Sequence, residues 1–516
     1  MNDAHDHEPR NQAFPSATVT DNMLTRIFTP GPAPVLTPVL TPALTLALAL
    51  IPALGLAVPA AALADTAFRD LTPHEQRAED LLRELIAFES TGEKPAENRR
   101  AMEAMAVHLR DAGFSDDDIQ LVNPAPDTYG LIVRYRGRGE AKPILALAHM
   151  DVVTANPDAW AFPPFELGIR DGHYLGRGTS DNKAGVVQIL HNFMRLKQEG
   201  WLPARDLVAA ITGDEETEMK MAAWFASEES GLLDAAYALN SDGGGGEYDE
   251  DRQPRAFWVQ TSEKIYQTWE LTVTNEGGHS SQPRPDNAIE DLARAITRIA
   301  ENPFPIQLDD GMRMMYARAA DLYPEPMRSD MRWLATETDA EKVATSEAAA
   351  RMVAANPAYN AELRTTCTPT LLRGGHAENA LPRDATVTVN CRILPTMPVA
   401  EVEARLRELV SDLDVDMTAL WPHWEGPPSL MTPDFLEPVE ALVEEHFGDI
   451  PVIPSMSTGA TDGLFYRGAG VPVYGVAAIF EAPGENRAHG LDERVGIEEF
   501  HASVAFWYDL FRTLAE

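Results

Sequence analysis

Two cysteines in 516 residues, Cys367 and Cys391, leave no room for a cysteine-rich metal site or a disulfide framework. They fall in two predicted strands flanking one loop; two buried thiols are the expected state, with a cross-strand bond as the alternative. Basic residues are also scarce, with 42 Lys and Arg against 80 Asp and Glu, a formal net charge of −38. A surface this acidic repels phosphate and argues against a nucleic-acid partner. It reads as a solubility or salt adaptation and carries no information about fold. Internal repeats are absent. At this length one compact core is too small, and two domains are the default expectation.

Near the N-terminus, residues 43–64 form an apolar segment, "ALTLALALIPALGLAVPAAALA", ending in Ala62-Leu63-Ala64 before Asp65. A hydrophobic stretch followed by small residues is the pattern of a secretory signal peptide, which implies a periplasmic or secreted protein. The basic flank is thin, with Arg26 the nearest cation, and Met23 is an alternative start. The segment is long enough to span a bilayer, so an uncleaved membrane anchor is the competing reading. Pro52, Pro59 and the many alanines make it a mediocre membrane helix.

From about residue 70 the signals alternate. "LTPHEQRAEDLLRELIAF" opens with Thr72, Pro73 and Glu75, an N-cap, a helix-start proline and a capping-box acid. "GLIVRYRG", "KPILALAHMDVV", "DLVAAITGDEE" and "AAYALNSDGG" read as strands, and "NKAGVVQILHNFMRLKQEG" as a helix between them. Near-continuous apolar strands separated by helices predict an α/β domain, its mostly parallel sheet covered on both faces. Ligands in such sheets bind beyond the carboxyl ends of the strands. From Lys264 the order becomes β-α-β-β-α-β, the ferredoxin-like arrangement, interrupted by a helical insertion at about 304–362. The expected division is a leader over 1–64, a catalytic domain over 65–263 and 425–516, and an inserted α+β lid or dimerisation domain over 264–424.

Five motifs stand at the predicted strand ends or in the loops after them. "AHMDVV" carries His149 and Asp151, which share one face of a strand, so that Asp151 can hold one imidazole nitrogen while the other binds metal. "GRGTSDNKAG" places Asp181 ahead of a helix, "GDEE" brings Asp214, Glu215 and Glu216 together, "LNSDGGGG" carries Asp242, and "ENRAHGLDE" carries His489. Adjacent carboxylates repel and cost free energy to desolvate, so three at a strand end call for a cation. Each motif alone is weak; their order and spacing together are specific.

That series resembles the dinuclear zinc exopeptidase and amidohydrolase family, which includes glutamate carboxypeptidase, succinyl-diaminopimelate desuccinylase, acetylornithine deacetylase, aminoacylase and carnosinase. The resemblance runs from about residue 70 to the C-terminus and implies a catalytic α/β domain with an inserted lid. It implies two Zn²⁺ ions, with Co²⁺ or Mn²⁺ as substitutes: Asp181 bridges them, His149 and Asp242 complete one site, and Glu216 and His489 the other. Glu215 is then the general base and acid, Asp151 supports His149, and His279 in "GGHSSQPRPDNAI" stabilises the oxyanion. Asn379, Arg392, Gly459 and Thr461, with Asp462, are implied near the free carboxylate of the substrate. The implied activity is hydrolysis of an amide beside that carboxylate, as a carboxypeptidase or dipeptidase; the alternative is an N-acyl-amino-acid deacylase with the same mechanism. A peptide or N-acyl amino acid is the expected substrate, and a homodimer through the lid is possible within the family. "SDNKAG" departs from the commoner DMKGG or DDKG form, changing neighbours of Asp181 and not Asp181 itself.

Overall fold

The computed structural model describes residues 70–516, and the segment read as a signal peptide or anchor lies outside them. Among the described residues no helix is long and apolar enough to cross a membrane. The first helix, Pro73–Ile86, begins as its sequence dictates. Thr72 Oγ1 accepts from the Glu75 N–H at 3.3 Å, the Glu75 carboxylate accepts from the Thr72 N–H at 2.8 Å, and Pro73 stands in the first turn. Leu81, Leu82, Leu85 and Ile86 form its buried face.

The central sheet has ten strands and is mixed. Its middle is parallel: Leu207–Thr212, Ile144–His149, Tyr237–Asn240 and Val473–Gly475 lie side by side in that order. Antiparallel pairs flank them, Thr128–Tyr135 with Ile119–Ala125 on one side and Pro254–Glu263 with Gly245–Tyr248 on the other. Val452–Ser457 adds a parallel partner to Pro254–Glu263. The strand Ile144–His149 is buried throughout because both faces are covered. Ile144, Ala146 and Ala148 enter one core with the helices Lys183–Glu199 and Ile497–Ala515, while Leu145 and Leu147 enter another with Met221 and Phe225.

A second sheet is antiparallel, in the order Thr366–Gly374, Asp384–Ile393, Ile265–Thr274 and Asp416–Ala419. With the helices Ala288–Glu301 and Val399–Leu409 this is the ferredoxin-like order expected from the sequence. Trp269, Leu271 and Val273 alternate inward against Leu292 and Ala295 of the first helix. Five helices, from Asp310–Ala319 to Pro357–Leu363, occupy the region of the expected insertion.

The expectation of two free thiols is corrected. Cys367 and Cys391 are direct cross-strand partners with Cα atoms 4.0 Å apart, and their sulfurs are bonded. Cross-strand opposition brings the two Cβ atoms within bonding reach. The bond closes a loop of 24 residues' separation, which constrains the unfolded chain by about 3 kcal/mol. Cys367→Ala is therefore expected to lower the stability of the four-stranded unit by about that amount. Denaturant unfolding of the oxidised wild type and the variant checks it; coincident midpoints would count against the estimate.

Candidate active site

Three neighbouring parallel strands end on the same edge of the central sheet. Ile144–His149 delivers His149, Leu207–Thr212 runs into the turn bearing Asp214, Glu215 and Glu216, and Tyr237–Asn240 is followed by Asp242. Parallel pairing is what gathers these motifs, because it places all three carboxyl ends together. Asp181 joins them from the loop ahead of Lys183–Glu199, and its peptide bond to Asn182 is cis. His489 arrives from the loop ahead of the last helix, with a positive φ of 61°.

The side chains form overlapping groups. His149, Asp181 and Asp242 converge in one, and Asp181, Glu216 and His489 in another. Asp181 is common to both and uses a different oxygen for each. Its Oδ1 lies 2.9 Å from His149 Nε2 and its Oδ2 lies 3.1 Å from His489 Nε2. His489 Nε2 is also 3.0 Å from Glu216 Oε1, and His149 Nε2 is 3.8 Å from Asp242 Oδ2. Glu215 stands with His149 and Glu216 in a third group. The five residues expected as ligands from the sequence are thus brought together, with Glu215 beside them.

Backbone contacts hold this arrangement. His149 Nδ1 meets the carbonyl oxygen of Asp151 at 3.0 Å, which turns Nε2 toward the carboxylates. The Asp151 carboxylate, 3.6 Å from the same nitrogen, is engaged elsewhere. It accepts from the N–H groups of Glu215 and Glu216 at 3.1 and 2.9 Å, so Asp151 shapes the turn that presents both acids. Asp214 closes the same turn, its carboxylate accepting from the Met221 N–H at 3.1 Å. Glu493, the last residue of "ENRAHGLDE", had no role in the sequence reading. It is fully buried, accepts from the N–H groups of Gly178, Ser180 and Asp181, and pairs with Arg177 at 2.6 Å. One carboxylate thereby ties the His489 loop to the Asp181 loop. It stands four positions after His489, which is the only sequence signal that could have marked it.

The electrostatics call for positive charge. Burial, reinforced by repulsion from Asp181, pushes the Asp242 carboxyl up to about 7. Burial also drives Glu215 well above the usual carboxylate range, against the pull of His149 and with the push of Asp242. Hydrogen bonds with Asp181 and Glu216 lift His489 to about 10. Burial would raise Asp181, yet the hydrogen bonds from His149 and His489 hold it below the normal range. Two imidazoles and two further carboxylates around the shared Asp181 are a suitable donor set for divalent ions. The residues present therefore fit divalent metal, with Asp181 common to two of the groups that could hold it.

The sequence profile of peptidase family M20/M25/M40 matches residues 145–513. The chain belongs to that family. Relatives include N-fatty-acyl-amino acid synthase/hydrolase PM20D1 of Xenopus tropicalis, 30% identical over 380 residues and covering 72% of each chain. Probable carboxypeptidase S-like 2 of Dictyostelium discoideum is 28% identical over 400 residues, 74% of each chain. Among solved structures, the M20 family metallo-carboxypeptidase Sso-CP2 from Sulfolobus solfataricus has the same fold. It aligns with a TM-score of 0.63 at 18% identity over 85% of this chain and 99% of that one. The protein is accordingly a hydrolase acting on C–N bonds.

The residues expected near the substrate stand outside the three groups that could hold metal. Gly278–His279 pairs with Ala380–Leu381, and the Ser280 N–H donates to the Asn379 carbonyl at 3.1 Å, so exposed His279 and Asn379 are neighbours. His279 Nδ1 accepts from the Ser281 N–H at 3.2 Å, which leaves Nε2 as the protonated, donating nitrogen. Arg392 lies with its guanidinium over the Tyr266 ring at 4.6 Å. Gly459 is exposed. Thr461 is buried and its hydroxyl is committed, donating to Glu263 and accepting from Asn240 and the Gly463 N–H. Asp462 is buried as well and accepts from the Thr212 hydroxyl. Thr461 and Asp462 are thus tied to the ends of the strands Tyr237–Asn240 and Leu207–Thr212 that lead into the site.

Proposed function

We propose that this protein hydrolyses an amide or peptide bond beside a free carboxylate, with two Zn²⁺ ions held by His149, Asp181, Asp242, Glu216 and His489. The observation that carries the reading is the sharing of Asp181, one oxygen toward each imidazole group. Bound there, the two ions would polarise the scissile carbonyl and make a water acidic near neutral pH. Glu215 takes the proton from the attacking water and returns it to the leaving nitrogen. Burial supports this role, because a carboxylate with a raised proton affinity is a stronger base. His279, with Nε2 protonated, donates to the developing oxyanion, and Arg392 and Asn379 hold the substrate carboxylate.

The leading substrate class is a dipeptide or peptide C-terminus, as carboxypeptidase or dipeptidase. The identity to an N-fatty-acyl-amino acid synthase/hydrolase favours a second reading, deacylation of N-acyl amino acids. A panel of dipeptides, N-acetyl amino acids and long-chain N-acyl amino acids separates the two when each is assayed with and without chelator. Turnover of at least one class, abolished by chelator and restored by Zn²⁺, is expected. Chelator-resistant turnover would overturn the metal assignment. Export to the periplasm or beyond remains part of the proposal, and the Cys367–Cys391 bond supports it, since disulfides persist in oxidising compartments. Membrane anchoring through residues 43–64 is the alternative. A homodimer through the lid also stands as a proposal.

A further inference from the structure

A cavity of about 250 Å³ lies where the helical insertion meets the central sheet, formed between Asp310–Ala319, Met327–Thr336 and Pro357–Leu363 on one side and Trp258, Ser455 and Met456 on the other. None of its lining residues belongs to the carboxylate groups of the active site. Four aromatic rings face it, those of Trp258, Tyr316, Tyr323 and Tyr359, together with three methionines and the Glu362 carboxyl.

Two polar groups in this wall lack partners. Tyr316 is 0% exposed and its hydroxyl makes no hydrogen bond; Glu362 Oε2 is buried and likewise unbonded. Burial pushes the Glu362 carboxyl up to about 7, against the pull of Lys264. The nearby cations act on this wall through space and donate their hydrogen bonds to other groups. Lys264, which burial brings down to about 7, donates to the carbonyl oxygens of Arg364 and Arg392. Arg255, 5.5 Å from the Tyr323 ring, is bonded to Glu247 and the Leu322 carbonyl.

The lining selects among ligand classes. A hydrocarbon would leave the Tyr316 hydroxyl and Glu362 Oε2 desolvated and unbonded, which is costly. An anion would be repelled by Glu362 and by a chain of net charge −38. An alkylammonium neutralises the carboxylate and meets the negative faces of several rings at once, and a primary one also donates to Glu362 Oε2. We infer that this cavity binds a small organic cation, a quaternary or primary alkylammonium, with Glu362 as counter-ion and the four rings as its cage. This assignment is independent of the amide-hydrolase reading.

Choline is the probe and 3,3-dimethylbutan-1-ol its neutral isostere of the same shape, both titrated calorimetrically into the metal-loaded full-length protein. The expected result is saturable choline binding at least about tenfold tighter than the isostere. Glu362→Gln, which keeps volume and removes charge, is expected to weaken choline about tenfold and leave the isostere unchanged. Tyr359→Leu, at a half-buried position, provides a second variant that removes one ring and is expected to weaken choline alone. Equal affinity for the two ligands, the absence of saturable choline binding, or unchanged choline affinity in both variants would overturn the assignment.

Discussion

Glu215→Gln is expected to keep the wild-type metal content and to lower kcat about 10⁴-fold. The magnitude is the upper end of what a positioned acid–base group contributes, because the same side chain serves both proton transfers. Glutamine matches glutamate in shape, and the turn that presents the side chain is fixed through its main chain, since the Asp151 carboxylate accepts from the Glu215 N–H at 3.1 Å. The substitution therefore removes the proton acceptor and leaves its surroundings in place. Metal analysis of the purified variant, beside steady-state kinetics on whichever substrate the panel yields, checks both halves. Turnover near wild type would remove Glu215 from the mechanism. Loss of metal with turnover would make it a ligand instead and shift the base to another group.

The parts of this site that were legible in the sequence are those in which chemistry and strand geometry coincide locally. An apolar run ending in His149, another ending in "GDEE" and a third ending in "SDGG" announce themselves, because a buried parallel strand has little else to show. The supports were hidden by distance along the chain. Glu493 meets Asp181 across a separation of 312 residues, and Thr212 meets Asp462 across 250. The strand Pro254–Glu263 escaped the sequence reading for a different reason. Its second half, Gln260, Thr261, Ser262 and Glu263, is polar yet buried, so the apolar pattern that marks a strand is missing. Glu263 is tolerated there because Arg467 lies 2.7 Å away and the hydroxyl of Thr461 donates to it. The cysteines illustrate a third limit: their strands could be read, but their register could not, and a one-residue slip would have pointed the sulfurs to opposite faces.

Glu493 also carries the second large effect. Its carboxylate accepts three main-chain N–H groups and pairs with Arg177, and both partners of that ion pair are nearly inaccessible to water. Glu493→Ala would leave the Arg177 guanidinium buried without its counter-charge and three donors without acceptors. Breaking a buried pair in this way costs about 3–5 kcal/mol of stability. The same change releases the Asp181 loop from the His489 loop, so the two histidines would no longer meet opposite oxygens of one carboxylate. Metal affinity is expected to fall about 10–100-fold, the usual consequence of losing a group that orients ligands. Glu493→Gln separates the two effects. An amide oxygen can still accept from part of the loop, whereas the charge on Arg177 stays uncompensated. Its metal affinity is therefore expected to lie between those of the wild type and the alanine variant. Chelator-competition titration reads the affinity, and urea unfolding with and without chelator reads the stability. If metal is as tightly held in Glu493→Ala as in the wild type, the Asp181 loop is positioned by its other contacts, Asn182 Nδ2 to the Ser241 carbonyl and Ser241 Oγ to Asn182 Oδ1 foremost among them.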